Sequence, residues 1–515
     1  MKVVSVPSPL SLWTTVRSVG AYNVAGSFVA LWALVKVLRA LRWRLKTTQL
    51  RGPPRTSFMY GVLRDLVVSQ DSGAMYERWA TEYGVAYVIP SVLTQTTTVL
   101  CDPKAIAHFY ARETWTYVHT PLSLTFLESF LGRGLLWSEG EAHKRQRKAL
   151  TPAFSNAAIR KLTSVFYDSA YKAKGAWDTA IESSKDGDAV IEVQNWMNHI
   201  SLDSIGIAGF SHDFGSLDGK QASVTEVFDT FGNDQKASAV NQVVLLLASA
   251  FPIITKIPSK HKNLVKKLGV AMGEISNDLL IRNRREKDTN VSERDEEKSI
   301  IGLLIKSEGQ DAELRMSKEE VMAQMKGLLV AGYETTSISL TWALIELSRH
   351  PDLKANLPYL DAVVHEILRL HPPVGEFTRL AAADDVIPLS EPVRTLSGEM
   401  TDSAAINRSS AIWGPDAKEF KPDRWLTEDG ISGKAKEVQG HRHLLTFVDG
   451  PRTCLGKDFA ISEFKAVLSV LVKNFVFEMR DGPDTPVEIA RGFLLRPRVA
   501  GEDGIEVPLR VRRYE

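Results

Sequence analysis

The chain has 515 residues, of which 44% are hydrophobic and 24% charged, so it is neither a disordered chain nor one wholly embedded in a membrane. Its 63 Lys and Arg residues almost balance its 62 Asp and Glu residues, which argues against nucleic acid as a partner. Two cysteines, Cys101 and Cys454, exclude a disulfide scaffold and favour a reducing compartment.

The first predicted element is a membrane anchor. Residues 1–50 contain seven Lys and Arg residues and no acidic residue, and an uncharged stretch runs from Ser18 to Val35. At about 1.5 Å per residue this stretch is roughly 27 Å long, enough to cross a thin bilayer such as that of the endoplasmic reticulum. The pattern predicts a short lumenal N-terminus over 1–17 and a transmembrane helix over 18–36. An interfacial helix and a cleaved signal peptide are the alternatives.

Basic residues that follow the stretch predict its orientation. They are Lys36, Arg39, Arg42, Arg44, Lys46, Arg51 and Arg55, whereas only Lys2 and Arg17 precede it. The positive-inside rule therefore places the body of the protein in the cytosol. Residues 37–55, with the stiff Gly52-Pro53-Pro54 segment, are predicted to be a basic, Pro-rich hinge. Residues 56–515 are predicted to form a single domain.

The body is predicted to be mainly α with a minor β part. Most of residues 56–350 has helical periodicity, with β-like patches at Ala86–Pro90 and Thr97–Leu100. Turns and β-like patches become commoner after about residue 375. The charge-dense segment 281–299 is predicted to be a solvated loop.

A long buried helix with a polar centre is the first chemical signal. Ser317 and Glu320 form a capping box, and the helical pattern then continues to about Ser348. Its middle is apolar on nearly every side, yet it contains Glu334 and Thr335. Hydroxyl groups there could bond back to the preceding turn. The grouping of an acid, alcohols and a glycine favours a functional break in the helix instead.

A second signal is the loop from Phe447 to Gly456, which places Cys454 between glycines just ahead of an amphipathic helix. Glycines let the backbone approach a large flat ligand, and amides at a helix start stabilise a thiolate. Cys454 is therefore predicted to be a metal-ligating thiolate. The absence of a nearby second cysteine in the sequence argues against zinc and iron–sulfur sites. Cys101 is predicted to be a packing residue.

These motifs resemble the cytochrome P450 family, most closely its fungal microsomal members. The cysteine loop is similar to the family's haem-binding loop at Phe447, Gly450, Arg452, Cys454 and Gly456. The family's fold is mainly α with a minor β part, so the resemblance implies that fold behind one N-terminal transmembrane helix.

Three more segments match the family in chain order. The segment around Glu334 and Thr335 resembles its oxygen-activating helix. Glu366 and Arg369 match its Glu-x-x-Arg motif, and Arg424 matches the arginine that closes a structural triad with that pair. By similarity, Glu334 and Thr335 relay protons during oxygen activation.

The resemblance also implies the cofactor contacts. Haem b is expected, with Cys454 as the axial iron ligand. The matched positions for binding the haem propionates are Arg147, Arg379 and Arg452, together with His143, which stands where the family usually has tryptophan.

The implied activity is monooxygenation at the endoplasmic reticulum membrane, by a single-pass protein with a cytosolic catalytic domain. Electrons come from NADPH through NADPH-cytochrome P450 reductase, with cytochrome b5 as a second candidate donor. Arg145, Lys148 and Lys457 are predicted to lie near the proximal face and to attract the reductase, or else to be ordinary solvated charges.

The expected substrate is an apolar small molecule such as a terpenoid, a sterol or a fatty chain, in secondary metabolism. The family's substrate regions correspond here to residues 113–135, 208–250, the turn before Gly332, 374–378 and 492–494, which are rich in apolar residues. Glu376 is unusual in the fourth region and is predicted either to orient a polar group or to face solvent. A haem isomerase or dehydratase and a non-catalytic haem protein are the alternative functions.

Overall fold

The computed structural model describes residues 48–220, 260–289, 314–350, 357–390, 407–491 and 494–514, except 70, 71, 94 and 503, together with single positions between 23 and 38 and between 300 and 304. Helices dominate these residues. The α-helices are α1 (Leu63–Val68), α2 (Ser72–Tyr83), α3 (Pro103–Ala111), α4 (Pro121–Phe130), α5 (Gly140–Leu150), α6 (Asn156–Lys161), α7 (Thr163–Ser183), α8 (Val193–Phe210), α9 (Lys260–Thr289), α10 (Lys318–Arg349), α11 (Leu357–Leu370), α12 (Ser410–Trp413), α13 (Gly433–Lys436) and α14 (Lys457–Asn474).

The strands form small antiparallel sheets around the helical body. They are β1 (Ala86–Pro90), β2 (Thr96–Leu100), β3 (Tyr117–Val118), β4 (Asp188–Glu192), β5 (Leu380–Ala381), β6 (Phe475–Met479), β7 (Val487–Arg491), β8 (Leu495–Val499) and β9 (Pro508–Arg513). β1 pairs with β2, β3 with β5, and β7 with β8, while β9 lies between β4 and β6. The prediction of a mainly α fold with a minor β part is confirmed.

The long helix α10 is the centre of the core. Its start is the predicted capping box: Ser317 accepts a hydrogen bond from the amide of Glu320, whose carboxylate accepts one from the amide of Ser317. Its middle packs along α8, and α14 packs along α7. Leu340, Ala343 and Leu344 are fully buried. The elements that carry the predicted site therefore meet in the core.

Two predicted segments have different outcomes. The β-like patches are confirmed as β1 and β2. The solvated loop over 281–299 is wrong for its first part, because α9 continues to Thr289; residues 290–299 lie outside the described residues. A dense alternation of charges is compatible with a helix whose polar faces are solvated.

Most of the predicted anchor, residues 18–36, lies outside the described residues. The described positions between 23 and 38 are helical and exposed, and they include Leu31, Trp32 and Leu34, each more than half exposed. Across the described part of the chain, α10 is a helix long and apolar enough to cross a membrane, but it is mostly buried inside the protein.

Candidate active site

A cavity of about 330 Å³ lies between the middle of α10 and the loop that leads into α14. Cys454 lines it from the loop, and Ala331 and Thr335 line it from α10. Much of the remaining wall is apolar. Its apolar side chains include Leu127, Leu131, Leu135, Leu136, Leu328, Val374 and Phe377.

The backbone of the loop fixes the position of Cys454. Gly450 has a φ of 65°, and a Cβ atom there would lie 2.3 Å from the carbonyl oxygen of Tyr110. Any larger residue would therefore push α3 away from the loop. The amide of Cys454 donates to the carbonyl of Phe447 at 2.8 Å, and Gly456 is the N-cap residue of α14. The cysteine is thus held between two anchored segments, with its side chain exposed at the cavity.

The electrostatic surroundings of the thiol are mixed. Burial raises the pKa of the free Cys454 thiol, while the amide of Gly456 and the charges of Arg147 and Lys457 lower it. Arg147 also lines the cavity. A thiolate here has positive partners, and a metal ion coordinated to a thiol deprotonates it outright.

Arg379 stands in the cavity wall with a buried carboxylate behind it. Its Nε donates to Oε1 of Glu113 at 2.7 Å, and its Nη2 lies 2.6 Å from the same oxygen. Glu113 is fully buried, and its Oε2 accepts no hydrogen bond within the described part of the chain. Burial raises the pKa of Glu113, whereas Arg379 and Arg452 lower it. This end of the cavity therefore contains cations that internal acids already hold in place.

Arg452 is held in the same way. Its Nη2 donates to Oε2 of Glu139 at 2.7 Å and to the carbonyl of Ser138 at 2.5 Å. Burial alone raises the pKa of Glu139, but hydrogen bonds from His119 and the nearby Arg452 outweigh it and lower the pKa to about 2. Glu139 is consequently a carboxylate that keeps Arg452 oriented at the cavity.

His143 is the third polar group at this end. It lines the cavity and is buried. Burial and the charges of Arg452 and Arg147 lower its pKa to about 4. At neutral pH the ring is therefore uncharged and keeps one N–H group as a hydrogen-bond donor.

The polar centre of α10 divides between the cavity and the core. Thr335 lines the cavity, and its Oγ1 donates to the carbonyl of Ala331 at 2.7 Å. Glu334 is buried and does not belong to the cavity wall; its Oε1 accepts hydrogen bonds from Arg496 of β8 at 3.0 Å. Thr335 and Glu334 are therefore successive residues of which the alcohol lines the cavity and the acid lies outside its wall.

A second buried acid lies near this centre. Glu463 of α14 is fully buried among the hydroxyl groups of Ser201, Ser204 and Thr336, and Thr336 also lines the cavity. Burial raises the pKa of Glu463 well above its ordinary value. Its surroundings therefore favour the neutral, protonated form of the side chain.

Glu366 lies at the centre of a buried ion-pair network beside the site. Its carboxylate accepts from Nε and Nη2 of Arg369 at 2.9 and 2.8 Å, and from Nε of Arg424 at 2.9 Å. Trp425 Nε1 and the amide of Lys421 donate to it at 2.9 and 3.0 Å. Arg369 also donates to three backbone carbonyls of the segment before Lys421. The network joins α11 to the segment that precedes the cysteine loop.

Comparison with known proteins agrees with this arrangement. The family model described as Cytochrome P450 matches residues 51–357 and 352–500. Cytochrome P450 monooxygenase claQ of Ampulloclitocybe clavipes is 55% identical, over 98% of this chain and 100% of that protein. The chain belongs to the cytochrome P450 family. Cytochrome P450 monooxygenase 205 of Postia placenta is 32% identical over 97% and 99% of the two chains, and ganoderic acid synthetase CYP5150L8 of Ganoderma lucidum is 29% identical over 89% and 92%.

The protein is a P450 monooxygenase, and its family implies haem as the cofactor. The residues of the cavity fit that group. A thiol is exposed on one wall, apolar side chains form most of the surface, and three guanidinium groups converge on it. Nε of Arg452 is buried and makes no hydrogen bond to the described residues. It is a donor of the kind that a haem carboxylate requires.

The structure brings together many of the residues selected from the sequence. Those that line the cavity are His143, Arg147, Thr335, Arg379, Phe447, Arg452, Cys454 and Gly456. Gly450 lies outside the cavity wall, where it supports the loop against α3. Glu376 lies in a separate cavity, where the hydroxyl of Tyr76 donates to it at 3.3 Å. Arg145 forms an ion pair with Glu320, and Cys101 is buried in an apolar cluster.

Sequence reasoning missed the acids and the cation that support the site. Glu113, Glu139, Glu463 and Arg496 belong to no recognised motif, and their partners are distant in the sequence; Arg496 is 162 residues from Glu334. A signal was available for Glu463, because it is a lone acid on the apolar face of a predicted amphipathic helix. No comparable sequence signal marks Glu113, Glu139 or Arg496.

Proposed function

We propose that this P450 monooxygenase inserts one oxygen atom from O2 into an apolar small molecule of the terpenoid, sterol or fatty-chain class, as part of secondary metabolism. The observation that carries the proposal is the largely apolar wall of the cavity, which Thr335 and the thiol of Cys454 share with many aliphatic and aromatic side chains. A site of this kind selects its ligand mainly by shape and apolar burial. The similarity to an enzyme named for ganoderic acid, a triterpenoid, supports the substrate class.

For the cofactor, we propose that the thiolate of Cys454 would ligate the haem iron. Arg147, Arg379, Arg452 and His143 are proposed to bind the propionates. When bound, haem supplies the binding and reductive cleavage of O2. Glu113 and Glu139 hold two of the guanidinium groups in place before the cofactor arrives. Phe447 and Gly456 complete the wall around the thiol.

The chain itself contributes proton delivery and water exclusion. The hydroxyl of Thr335 can accept a proton from one neighbour while it donates another. Glu334 is the proposed proton source behind it, next in the chain and away from the cavity. The apolar side chains of the cavity wall keep bulk water from the reaction, so that protons arrive through this pair.

Electrons are proposed to come from NADPH through NADPH-cytochrome P450 reductase, with cytochrome b5 as a further donor. The proposed topology places 1–17 in the lumen of the endoplasmic reticulum and a transmembrane helix over 18–36. A hinge over 37–55 then leads to a single cytosolic catalytic domain over 56–515. The exposed apolar side chains of the described helical positions between 23 and 38 support the anchor.

A turnover experiment tests this function. The full-length protein is reconstituted with reductase, and terpenoids, sterols and fatty acids are screened for NADPH-dependent products that carry oxygen from labelled O2. Failure of every apolar class, with turnover of a polar one, contradicts the proposed substrate class.

The proton role is tested with Thr335→Ala and with Thr341→Ala as a matched control. Thr341 lies on the same helix and bonds back to Ser337 in the same way, but it does not line the cavity. Thr335→Ala is expected to retain haem and to convert much of the NADPH flux into hydrogen peroxide, whereas Thr341→Ala keeps the product-to-NADPH ratio. Equal ratios in the two variants mean that another group delivers the protons.

A further inference from the structure

Arg496 is a buried cation. It lies on β8, a short strand beside α10, and its side chain is 6% exposed. A guanidinium group in such a position is strongly unfavourable unless a charged partner compensates it. On the same strand, Arg498 is 40% exposed and pairs with Glu488 of β7 at 2.9 Å, as an ordinary surface arginine does. The strand therefore carries one arginine for the surface and one directed into the core.

The partner of Arg496 is Glu334. Nε and Nη2 of the arginine both lie 3.0 Å from the same carboxylate oxygen, Oε1, and the glutamate side chain is 1% exposed. The other oxygen, Oε2, is buried and accepts no hydrogen bond from the residues that the structure describes. The arginine thus orients the carboxylate through one of its two oxygens.

The pair determines the ionisation of the acid. Burial raises the pKa of Glu334, and the charge and hydrogen bond of Arg496, with a smaller contribution from the amide of Leu494, lower it. Without the guanidinium group the side chain would remain a neutral acid in the core, because an unpaired buried carboxylate is far less stable than its protonated form. A carboxyl group that stays protonated gives up its proton less readily and cannot take a new one from solvent.

We propose that Arg496 is a positioning residue for proton delivery, which holds Glu334 as an oriented carboxylate directly behind Thr335. This inference rests on the proposed roles of Glu334 and Thr335 in the reaction. The acid is one residue before the alcohol that lines the cavity, so its orientation decides whether protons can pass between them. Arg496 is not itself in the wall of that cavity.

The ion pair is tested first by infrared spectroscopy of the haem-loaded protein, which needs no substrate. Arg496→Met is expected to add a protonated carboxylic acid band to the spectrum, beside the band that Glu463 already contributes in the wild type. The added band should be lost again in the double variant Glu334→Gln/Arg496→Met, and Arg498→Met, the control on the same strand, should not produce it. A spectrum of Arg496→Met identical to that of Arg498→Met overturns the proposal.

Turnover then tests the consequence, with reductase, NADPH and O2 and no added substrate. Oxygen that takes up two electrons and two protons leaves as hydrogen peroxide, and oxygen that takes up four of each leaves as two water molecules. Arg496→Met is expected to lower the ratio of water to peroxide about tenfold, less than the roughly 10²–10⁴-fold contribution of an acid–base group itself because Glu334 is still present, and to change the solvent isotope effect. Arg496→Lys keeps a cation and is expected to recover part of the ratio.

Two results separate this inference from the proposed function. If Glu334→Gln lowers the water-to-peroxide ratio but Arg496→Met does not, the acid delivers protons without the arginine, and the inference is overturned while the function stands. If neither Glu334→Gln nor Thr335→Ala changes the ratio, the proposed proton route is wrong, and the inference fails with it. Arg496→Lys and the double variant keep the test possible if Arg496→Met binds little haem.

Discussion

Replacement of Glu366 by glutamine is expected to destabilise the catalytic domain severely. The change preserves the volume of the side chain but removes its charge, and it leaves the buried side chains of Arg369 and Arg424 around a neutral amide. In the wild type, five donor groups form hydrogen bonds to the carboxylate of Glu366. An amide oxygen can accept from only some of them, and its NH2 group would face donors.

The magnitude follows from the burial of the pair. Arg369 and Glu366 have side chains that are 0% exposed, and Arg424 is 2% exposed. Removal of one partner from a buried ion pair costs about 3–5 kcal/mol. Whole domains are stable by only about 5–15 kcal/mol, so the loss is a large fraction of the total. Glu182→Gln is the matched control, because Glu182 pairs with Arg513 at the surface and should lose less than about 1 kcal/mol.

The assay is unfolding by denaturant, followed by circular dichroism and by haem absorbance, with haem content measured after purification. Glu366→Gln should unfold at a much lower denaturant concentration than Glu182→Gln and should retain little haem. The double variant Glu366→Gln/Arg369→Met should recover part of the loss, because it removes an uncompensated charge. Equal midpoints and equal haem content for the two single variants would refute the reasoning.

Three further predictions concern other parts of the chain. Cys454→Ser should abolish the thiolate-type spectrum of the reduced carbon monoxide complex, whereas Cys101→Ser should keep it; loss in both would point to general misfolding. Deletion of residues 1–45 should release much of the protein from membranes with haem still bound, as fractionation and absorbance would show. Burial and nearby cations lower the pKa of His441 to about 4 in the folded protein. As the pH falls, this histidine is therefore protonated in the unfolded chain before it is protonated in the folded one. The free energy of unfolding should therefore fall by about 1–3 kcal/mol as the pH drops from about 6.5 towards 4, and less in His441→Asn than in the control His350→Gln.

Local signals in the sequence predicted much of the fold. The capping box at Ser317 and Glu320 gave the start of α10 to the residue, because both partners lie within one turn. The strands β1 and β2 lie in short segments rich in β-branched and aromatic residues, which the sequence shows as β-like patches. The charged segment after residue 281 was misread, because charge density says that a segment is solvated but not whether it is helical. Local patterns thus predict elements better than they predict boundaries between solvated helix and solvated loop.

The candidate site was predictable only where its residues belong to motifs. The cysteine loop and the pair Glu366 and Arg369 are contiguous or one turn apart, so they can be recognised in the sequence. Glu113 and Arg496 act through partners 266 and 162 residues away. Nothing in their own neighbourhoods marks them, since a buried acid and a surface acid look alike until the chain is folded. The supporting charges of a site therefore emerge only from tertiary structure.

The polar centre of α10 shows how the two kinds of information combine. Each unsatisfied polar group in a core costs about 1–3 kcal/mol, so a helix with Glu334, Thr335 and Thr336 at its middle requires compensation. Part of it is local, because Thr335 bonds back to the helix. The rest comes from other elements, with Arg496 of β8 on the acid and Glu463 of α14 beside Thr336. The same contacts also act on the protonation of the two acids, because Glu334 of α10 is paired with a cation and burial raises the pKa of Glu463 of α14. The same few residues therefore determine both the stability of the helix and its proton chemistry. A substitution that makes the centre of α10 apolar should raise the stability of the protein but lower its capacity for proton delivery.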